Sequence, residues 1–494
     1  MLEYDVAIIG SGPSSVSAYE SLMKNAPRAR VCIVEAGGAN EAYLGSSAIE
    51  SSADFRLSPT TYLGKGGTSE LWHSVLAPLD PIDFEDRSYI GSPAWPIGLD
   101  DLKPYYEAAL KLLGVADGRI FEDPQNHFSL NGLDLEGLTE NFEPKLFIQL
   151  KKHWRAKDYW KMIDVRFFYF HVVEALRING GLIEIISTDS SGALNPYIYA
   201  RKVIIAAGGL NSPQIVYNSE ISSAAHFHVG RRLLDHPMGV GMQLKRHKPY
   251  NFEILASKKE KELNKKVAFR VKENIQKEEG IPNSTFYFRP SFKEGYSQHT
   301  EELKAKIILY KDYLLRSKVP WRMTLDLLSE WNLVRQVISY KTGLLSKVAL
   351  FDIFCVTEQV SSAGRIVFEK SDNGFYKGKC IWGIDEIDED FNLLALNKIV
   401  GWAESKKEAG LITVFPKEVS WFARATSAAH HIGTLPMAES SVDGVVDSNC
   451  AIFGMNDNVF VADASVMPSA GCANVTLTSM ALAMRVGEYV AHSL

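Results

Sequence analysis

Cysteine is scarce and scattered in this chain. Cys32, Cys355, Cys380, Cys450 and Cys472 are the only five in 494 residues. An odd number without a CxxC pair argues against a disulfide framework or a structural zinc site, and points to a reducing compartment. Charge of one sign is also missing: Lys+Arg 53 against Asp+Glu 59 leaves a net −6. The basic face that a nucleic-acid binder requires is therefore absent. No apolar run approaches the ~18 residues of a spanning helix. No basic, apolar leader precedes Tyr4-Asp5-Val6-Ala7-Ile8-Ile9, so the cytoplasm is the expected location. Internal repeats, low-complexity tracts and long linkers are lacking, as are a GxSxG nucleophile elbow and an HExxH zinc motif. A chain that is 46% hydrophobic and 23% charged is neither disordered nor collagen-like. At this mass it buries roughly three-quarters of its unfolded surface, so a large core is available.

The N-terminal residues carry the first positive signal. Val6–Ile9 is a continuous apolar run, as a parallel strand buried on both faces requires. The turn Gly10-Ser11-Gly12-Pro13-Ser14-Ser15 follows, then a helix with Val16, Tyr19, Leu22 and Met23 on one face, stopped at Pro27. A second apolar strand, Val31–Val34, ends in Glu35. This βαβ unit predicts a doubly wound sheet. Gly10 and Gly12 allow a tight turn in which a pyrophosphate meets unpaired N–H groups at a helix N-terminus. Glu35 stands about 20 residues on, where a ribose-binding acid belongs. Ser15 replaces the third glycine of the fingerprint. These residues indicate a dinucleotide and leave NAD(P) and FAD both open.

Elsewhere, Val203–Ala207 reads as another buried strand ending at Gly208-Gly209, and Thr476–Ala491 as a helix. Patches such as Ser284-Thr285-Phe286-Tyr287-Phe288 alternate, which suggests antiparallel strands. Residues 299–345 read as helices with interspersed Lys and Arg. His171-Val172-Val173-Glu174 contains a single His and reads as a strand or surface turn.

Taken together, short segments along the whole chain resemble the glucose–methanol–choline oxidoreductase family. They are Gly10-Ser11-Gly12 with Glu35-Ala36-Gly37-Gly38, Gly66-Gly67-Thr68-Ser69, Trp95-Pro96-Ile97 with Asp100–Tyr106, and Ala206–Gly209 with Ser212-Pro213. Gly230–Pro237 and Glu358-Gln359 follow. The match is densest over His430–Thr434, Gly444–Asp447, Val461–Ser465 and Ala473–Thr478. Residues 245–350 carry little of it.

The resemblance implies FAD as cofactor and oxidation of alcohols as activity. It implies an α/β fold in which a Rossmann-like, doubly wound FAD-binding domain (1–95, 165–240 and 430–494) is joined to a substrate domain (96–164 and 241–429) built on an antiparallel sheet covered by helices. It places His430 at the flavin as the base and Asn474 beside it. An imidazole titrating near neutrality suits removal of a hydroxyl proton as hydride leaves, and an amide donates one hydrogen bond to the developing alkoxide. A buried structural histidine and a helix-capping asparagine are the plain alternatives. The implied FAD contacts are Gly10, Gly12, Pro13, Ser14, Ser15, Glu35, Ala36, Gly66, Gly67, Thr68, Ser69, His73, Ala207, Gly208, Ser212, Asp235, Asp463, Ala464, Asn474, Val475 and Thr476. The N-terminus of the last helix would face the flavin pyrimidine ring and stabilise negative charge there.

Relatives that bind FAD covalently do so through a histidine at a position held here by Leu71. His73 lies two residues on, and non-covalent FAD is expected. Val475 stands where proline is usual, and Pro436 where arginine is common. Trp72-His73 and the Trp95–Tyr106 segment resemble the sugar-oxidising, pyranose-oxidase-like branch, with Phe167, Phe168, Tyr169, Phe170, Trp421 and Phe422 as candidate stacking walls or ordinary core. The expected partner is a small-molecule, sugar-like alcohol. A sterol or aromatic alcohol is the alternative, and a redox-silent flavin lyase a third reading. The electron acceptor stays open among oxygen, a quinone and a protein. A lid is the expected role of 299–345, with membrane contact as its rival.

Overall fold

A computed structural model describes residues 2–42, 48–51, 61–124, 137–251, 263–291, 331, 334–335, 347–361, 363–408, 410–414, 421 and 425–494. The expected βαβ unit is its first element. Strand β1 (Leu2–Ile9) leads through the glycine turn into helix α1 (Pro13–Asn25) and returns as β2 (Val31–Glu35), parallel to β1 with Val6 opposite Val31. Val6, Ala7, Ile8, Cys32 and Ile33 are wholly or almost wholly buried, as strands covered on both faces must be.

Among the described residues seven strands form this sheet. Arg166–Tyr169 flanks β2, and Ile198–Ile205 flanks β1, all running parallel. The far edge of Ile198–Ile205 is shared. Its first half pairs antiparallel with Leu182–Thr188, the inner strand of a hairpin with Val172–Asn179, and its second half pairs parallel with Val459–Val461. The carboxyl ends of β1, β2 and the 198–205 strand thus lie side by side, where ligands bind in sheets of this kind. The C-terminal helix, Val475–His492, packs on α1. Gly487 permits that approach, since a Cβ there would meet the Ala18 carbonyl oxygen at 2.3 Å.

The second sheet is antiparallel throughout. In spatial order it runs Leu411–Val414, Pro237–Asn251, Lys347–Thr357, Ser284–Ser291, Leu263–Val271, Phe142–Leu150 and Val75–Leu76, with Thr426–Ser427 pairing at the start of Pro237–Asn251. It builds a second core from Phe142, Phe269, Phe286, Phe351 and Ile353, on which the helix Glu386–Ser405 lays Leu396, Ile399 and Trp402. A small third sheet joins Ala48–Ser51, Tyr376–Trp382 and Arg365–Lys370.

Two features lie off the sequence reading. Helix Leu99–Leu112, placed by sequence with the substrate domain, buries Leu102, Tyr106, Ala109 and Leu110 in the core of the first domain. Its Tyr106 hydroxyl lies 2.9 Å from Thr478 Oγ1 on the C-terminal helix. The third sheet draws its strands from distant segments and was not foreseen. Of the helices expected over 299–345, only residues 331, 334 and 335 fall within the described set, as Phe422 does not. Among the described residues no helix is long and apolar enough to cross a membrane. All five cysteines are buried and outside disulfides.

A buried ionic cluster ties the two cores together. Arg87, fully buried, makes a bidentate pair with Glu358 at 2.6 and 2.8 Å. Burial pushes the Glu358 carboxyl up, but the Arg87 charge and hydrogen bonds, with the amides of Gly471 and Asn283, outweigh it and hold the group below the usual carboxylate range. The Gly471 amide donates to Glu358 Oε1 at 3.0 Å, so this cluster fixes the loop that leads into the C-terminal helix.

Candidate active site

A cavity of about 980 Å³ opens at the carboxyl ends of the parallel strands, at the upper end of the range for ligand sites. Its wall takes in Gly10, Gly12, Pro13 and Ser14 at the start of α1, and Glu35 and Ala36 at the end of β2. Gly67, Thr68, Ser69, His73, Ala207 and Gly208 continue it, and Asp463, Ala464, Asn474, Val475 and Thr476 complete the set of expected residues that line it.

Local chemistry explains the glycine positions. Gly10 has φ +97° and a Cβ there would meet the Ala206 carbonyl oxygen at 2.5 Å, so only glycine lets the turn pass. Gly67, at φ +55°, faces Gly12, and a Cβ on Gly67 would meet the Gly12 Cα at 2.8 Å. Ser11 ties the two loops together. Its hydroxyl donates to Glu35 Oε2 at 2.6 Å and accepts the Gly66 amide at 3.0 Å. Glu35 also accepts the Gly37 amide on Oε1 at 3.1 Å. Burial pushes its carboxyl up against these hydrogen bonds.

These residues suit FAD. Gly12 and Asn474, the N-caps of α1 and of the C-terminal helix, make no side-chain capping bond, and both line the cavity. Two sets of first-turn amides are therefore left for an anion or a polarised ring. Gly208, at φ +86°, has open space where a Cβ would stand. Glu35 retains acceptor capacity for ribose hydroxyls. FAD bound there would supply the hydride acceptor.

Four expected contacts stand behind the wall. Ser15 is wholly buried in the first turn of α1, and its hydroxyl has no hydrogen-bond partner. Gly66, Ser212 and Asp235 also lie outside the lining. Ser212 donates to Asp463 Oδ2, which also accepts the Gly208 amide at 2.9 Å, while Asp463 Oδ1 accepts the amide and hydroxyl of Ser465. Asp463 thus spends both oxygens on protein donors, and its place is to hold the Gly208 turn. Leu71 and His73 both line the cavity, and the His73 ring packs edge-on to His153 with centroids 6.0 Å apart.

His430 and Asn474 come together although 44 positions separate them. Asn474 Nδ2 lies 3.2 Å from His430 Nε2. His430 Nδ1 lies 2.7 Å from Nδ1 of His236, whose Nε2 is 3.1 Å from the Ala470 carbonyl. The tautomers follow from these partners. A carbonyl only accepts, so His236 carries its proton on Nε2. Its bare Nδ1 must accept from His430, which therefore carries its proton on Nδ1 and presents a lone pair at Nε2. The Asn474 amide donates to that lone pair. Burial is the main cause that lowers the His430 pKa, to about 3, and the neighbouring His236 adds to it. Burial also lowers His236 and His431. Both rings of the row are neutral at pH 7.

Asp235 braces the row. Its Oδ1 accepts the amides of His236 at 2.6 Å and His430 at 3.0 Å, and its Oδ2 accepts the Ser427 hydroxyl. Ligand-type atoms of Asp235, His236 and His430 all lie within 4.8 Å of one another, but each already has a hydrogen-bond partner. Ala429 adopts φ +59°, a conformation that costs a non-glycine residue about 1–2 kcal/mol. It turns the chain immediately before His430, and Ser427 Oγ accepts the Ala429 amide at 2.8 Å.

Sequence alternation places His431 on the face opposite His430. The backbone at 430–431 is not a strand; both residues line the cavity, and His431 also borders a small second void with Leu233 and Trp382 that His430 does not reach. The aromatic wall also differs. Phe167 and Tyr169 stack at 5.0 Å beside Trp160 and Lys65, and Trp421 is buried; none of them, nor Phe168 or Phe170, lines the cavity. Trp72 does. Sequence reasoning missed His171, Val172 and Val173, which line the cavity at the head of their strand, and Met238, Ser427 and Lys377. The His171 ring is held by Ser187 Oγ at 2.9 Å. Only the pairing of distant segments reveals these.

Comparison with known proteins agrees with this architecture. Two family models, both described as GMC oxidoreductase, match residues 182–238 and 395–483. No curated protein sequence matches the chain. Among solved structures, a pyridoxine 4-oxidase from Mesorbium loti is 15% identical with a TM-score of 0.59, and 99% of each chain is covered. A fungal aryl-alcohol oxidase is 14% identical with a TM-score of 0.58, again over 99% of each. An FAD-dependent oxidoreductase from Chaetomium thermophilum is 16% identical, with a TM-score of 0.58 and 99% of each chain covered. At such identities these likenesses establish the fold. The two matched segments carry the Gly208 turn, the Asp235–His236 pair, His430 and Asn474, so over these segments the chain is similar to GMC oxidoreductases, and it is an FAD-dependent oxidoreductase.

Proposed function

We propose that the chain oxidises the CH–OH group of a small-molecule alcohol to the carbonyl, with His430 as the base. The observation that carries this reading is the row Ala470–His236–His430–Asn474, which leaves a neutral imidazole with its Nε2 lone pair beside the C-terminal helix N-terminus. In the reaction the hydroxyl O–H bond breaks and its proton goes to His430 Nε2, while the C–H electron pair would leave as hydride, for which FAD held by the cavity residues would be the acceptor. Asn474 then donates to the developing alkoxide instead of to the ring.

Within that chemistry we take a sugar or polyol as the donor, on the polar and aromatic wall of Trp72 and His73. The Trp95–Tyr106 segment does not support this choice. Trp95 donates to Ser469 Oγ at 2.8 Å inside the core and Tyr106 bonds Thr478, so both are packing features. A bulkier apolar alcohol is the second reading, favoured by Met238, Ala428 and Ala429 in the same wall. FAD is held without a covalent bond, since Leu71 occupies the expected attachment position. Residues 96–164 and 241–429 form the substrate side, with helix Leu99–Leu112 packed across to the first core.

The test is an anaerobic screen of sugars, polyols, aromatic alcohols and sterols against the yellow holoenzyme. Bleaching by a sugar or polyol is expected. Bleaching only by apolar alcohols selects the second reading, and no bleaching by any alcohol, with lyase activity present, overturns alcohol oxidation. Reoxidation of the bleached enzyme by oxygen, a quinone or a protein identifies the acceptor.

A further inference from the structure

We propose that His236 is a positioning residue for the reaction, holding His430 in the tautomer that keeps Nε2 unprotonated, so that it takes the substrate proton once Asn474 turns its donor to the substrate oxygen. The proposal rests on the reading above that His430 is the base. His236 touches neither the cavity nor, by its place in the row, any bound substrate: it is wholly buried and absent from the cavity wall. Its two ring nitrogens are nonetheless both committed. Nε2 is fixed as a donor by the Ala470 carbonyl, at 3.1 Å. That choice leaves Nδ1 as an acceptor, and Nδ1 meets His430 Nδ1 at 2.7 Å. A backbone carbonyl thereby sets the proton position on a second imidazole two hydrogen bonds away.

The alternative tautomer of His430 would put two bare nitrogens against each other at that distance and turn an N–H toward the hydroxyl it should deprotonate. In a catalytic triad the wrong histidine tautomer costs about 10⁴-fold in rate. His236 acts again after transfer. The His430 cation keeps its Nδ1 proton, and the His236 lone pair accepts from it, so the charge meets a neutral acceptor instead of a void. The Asp235 carboxylate, bonded to both backbones, faces the same pair.

Two conservative variants separate this role from plain packing. His236→Asn keeps an acceptor where Nδ1 stood and loses the bond to Ala470. His236→Gln keeps a donor toward Ala470 and loses the acceptor for His430. Both bury an amide in place of the ring, so their losses of thermal stability should be similar. Anaerobic flavin reduction in the holoenzyme should fall by no more than about tenfold in His236→Asn and by about 10²-fold or more in His236→Gln, with KM little changed. The second readout is ¹⁵N NMR of histidine-labelled wild-type holoenzyme, with His430 assigned by its loss in His430→Gln. A protonated Nδ1 and a bare Nε2 on His430 are expected.

A proton on His430 Nε2, or His236→Gln reducing as fast as His236→Asn, would overturn the proposal. Failure of the underlying reading looks different. If His430→Gln itself reduces at the wild-type rate, His430 is not the base, whatever the NMR shows of its tautomer.

Discussion

Asn474 occupies the N-cap of the C-terminal helix, yet its side chain caps nothing and its amide nitrogen lies 3.2 Å from His430 Nε2. An asparagine at an N-cap ordinarily satisfies a first-turn amide, and its loss there costs about 1 kcal/mol. Here Asn474→Ala should leave the melting temperature nearly unchanged while slowing flavin reduction by roughly ten- to a hundredfold, the loss of one hydrogen bond to a developing charge. Parallel melting and stopped-flow measurements check both halves. A large fall in stability with normal reduction would return Asn474 to the role of a cap.

Acidity gives a second test. His430 is neutral in the fold because its pKa is lowered from 6.5 to about 3, by burial first and by His236 next, against the opposing pull of Asp235. A base that is already unprotonated does not lose activity as pH falls through the ordinary imidazole range. The rate of anaerobic reduction should therefore stay level from pH 8 down past 6.5, with any acid limb well below it. A limb centred near 6.5 would show that His430 is solvated and ordinary.

The Arg87–Glu358 pair is the shortest link in the buried ionic cluster between the two cores that involves Arg87. Glu358→Gln leaves Arg87 charged and fully buried with only the Asp83 carboxylate, 3.8 Å away, beside it, and breaking a buried pair in this way costs about 3–5 kcal/mol. It also removes the charge that Gly471 leans on, so the Ala470 carbonyl and Asn474 should lose their register. The expected outcome is a lower melting temperature together with slower reduction in the fraction still folded. Unchanged stability would mean the pair contributes nothing net.

Glu35→Ala should weaken FAD binding by roughly one to two decades, since a carboxylate hydrogen bond to a hydroxyl is worth about 1.5–3 kcal/mol. It also frees Ser11, which now donates to Glu35 at 2.6 Å and steadies the Gly66 loop. Flavin retention on dilution measures the effect, and retention equal to wild type would contradict it. The same samples, denatured by acid, should release intact FAD to the supernatant. Flavin left on the protein, mapped to His73, would reverse the non-covalent expectation.

Local sequence made the βαβ unit legible because every signal in it is local: an apolar run, a glycine turn, one helical face, an acid at the strand end. The C-terminal helix was legible for the same reason. His430 and Asn474 came from short motifs, and the structure adds the geometry that joins them. What stayed hidden depends on distant pairing. His236 gave no sign of touching His430, because the link crosses 194 positions. The aromatic run at 167–170 looked like a binding wall but serves the sheet edge beside β2, and helix Leu99–Leu112 crosses to the first core through Tyr106.

The central claim is that His430 accepts the proton of an alcohol as hydride leaves. Anaerobic stopped-flow reduction of the FAD-loaded enzyme, comparing wild type, His430→Ala and His431→Ala on one alcohol, tests it most directly. The yellow colour and fold should persist in both variants. Reduction should slow by about 10²–10⁴-fold in His430→Ala, the usual contribution of a positioned base, and change little in His431→Ala, whose ring lies outside the hydrogen-bonded row. Normal reduction in His430→Ala, or a loss confined to His431→Ala, would contradict the account.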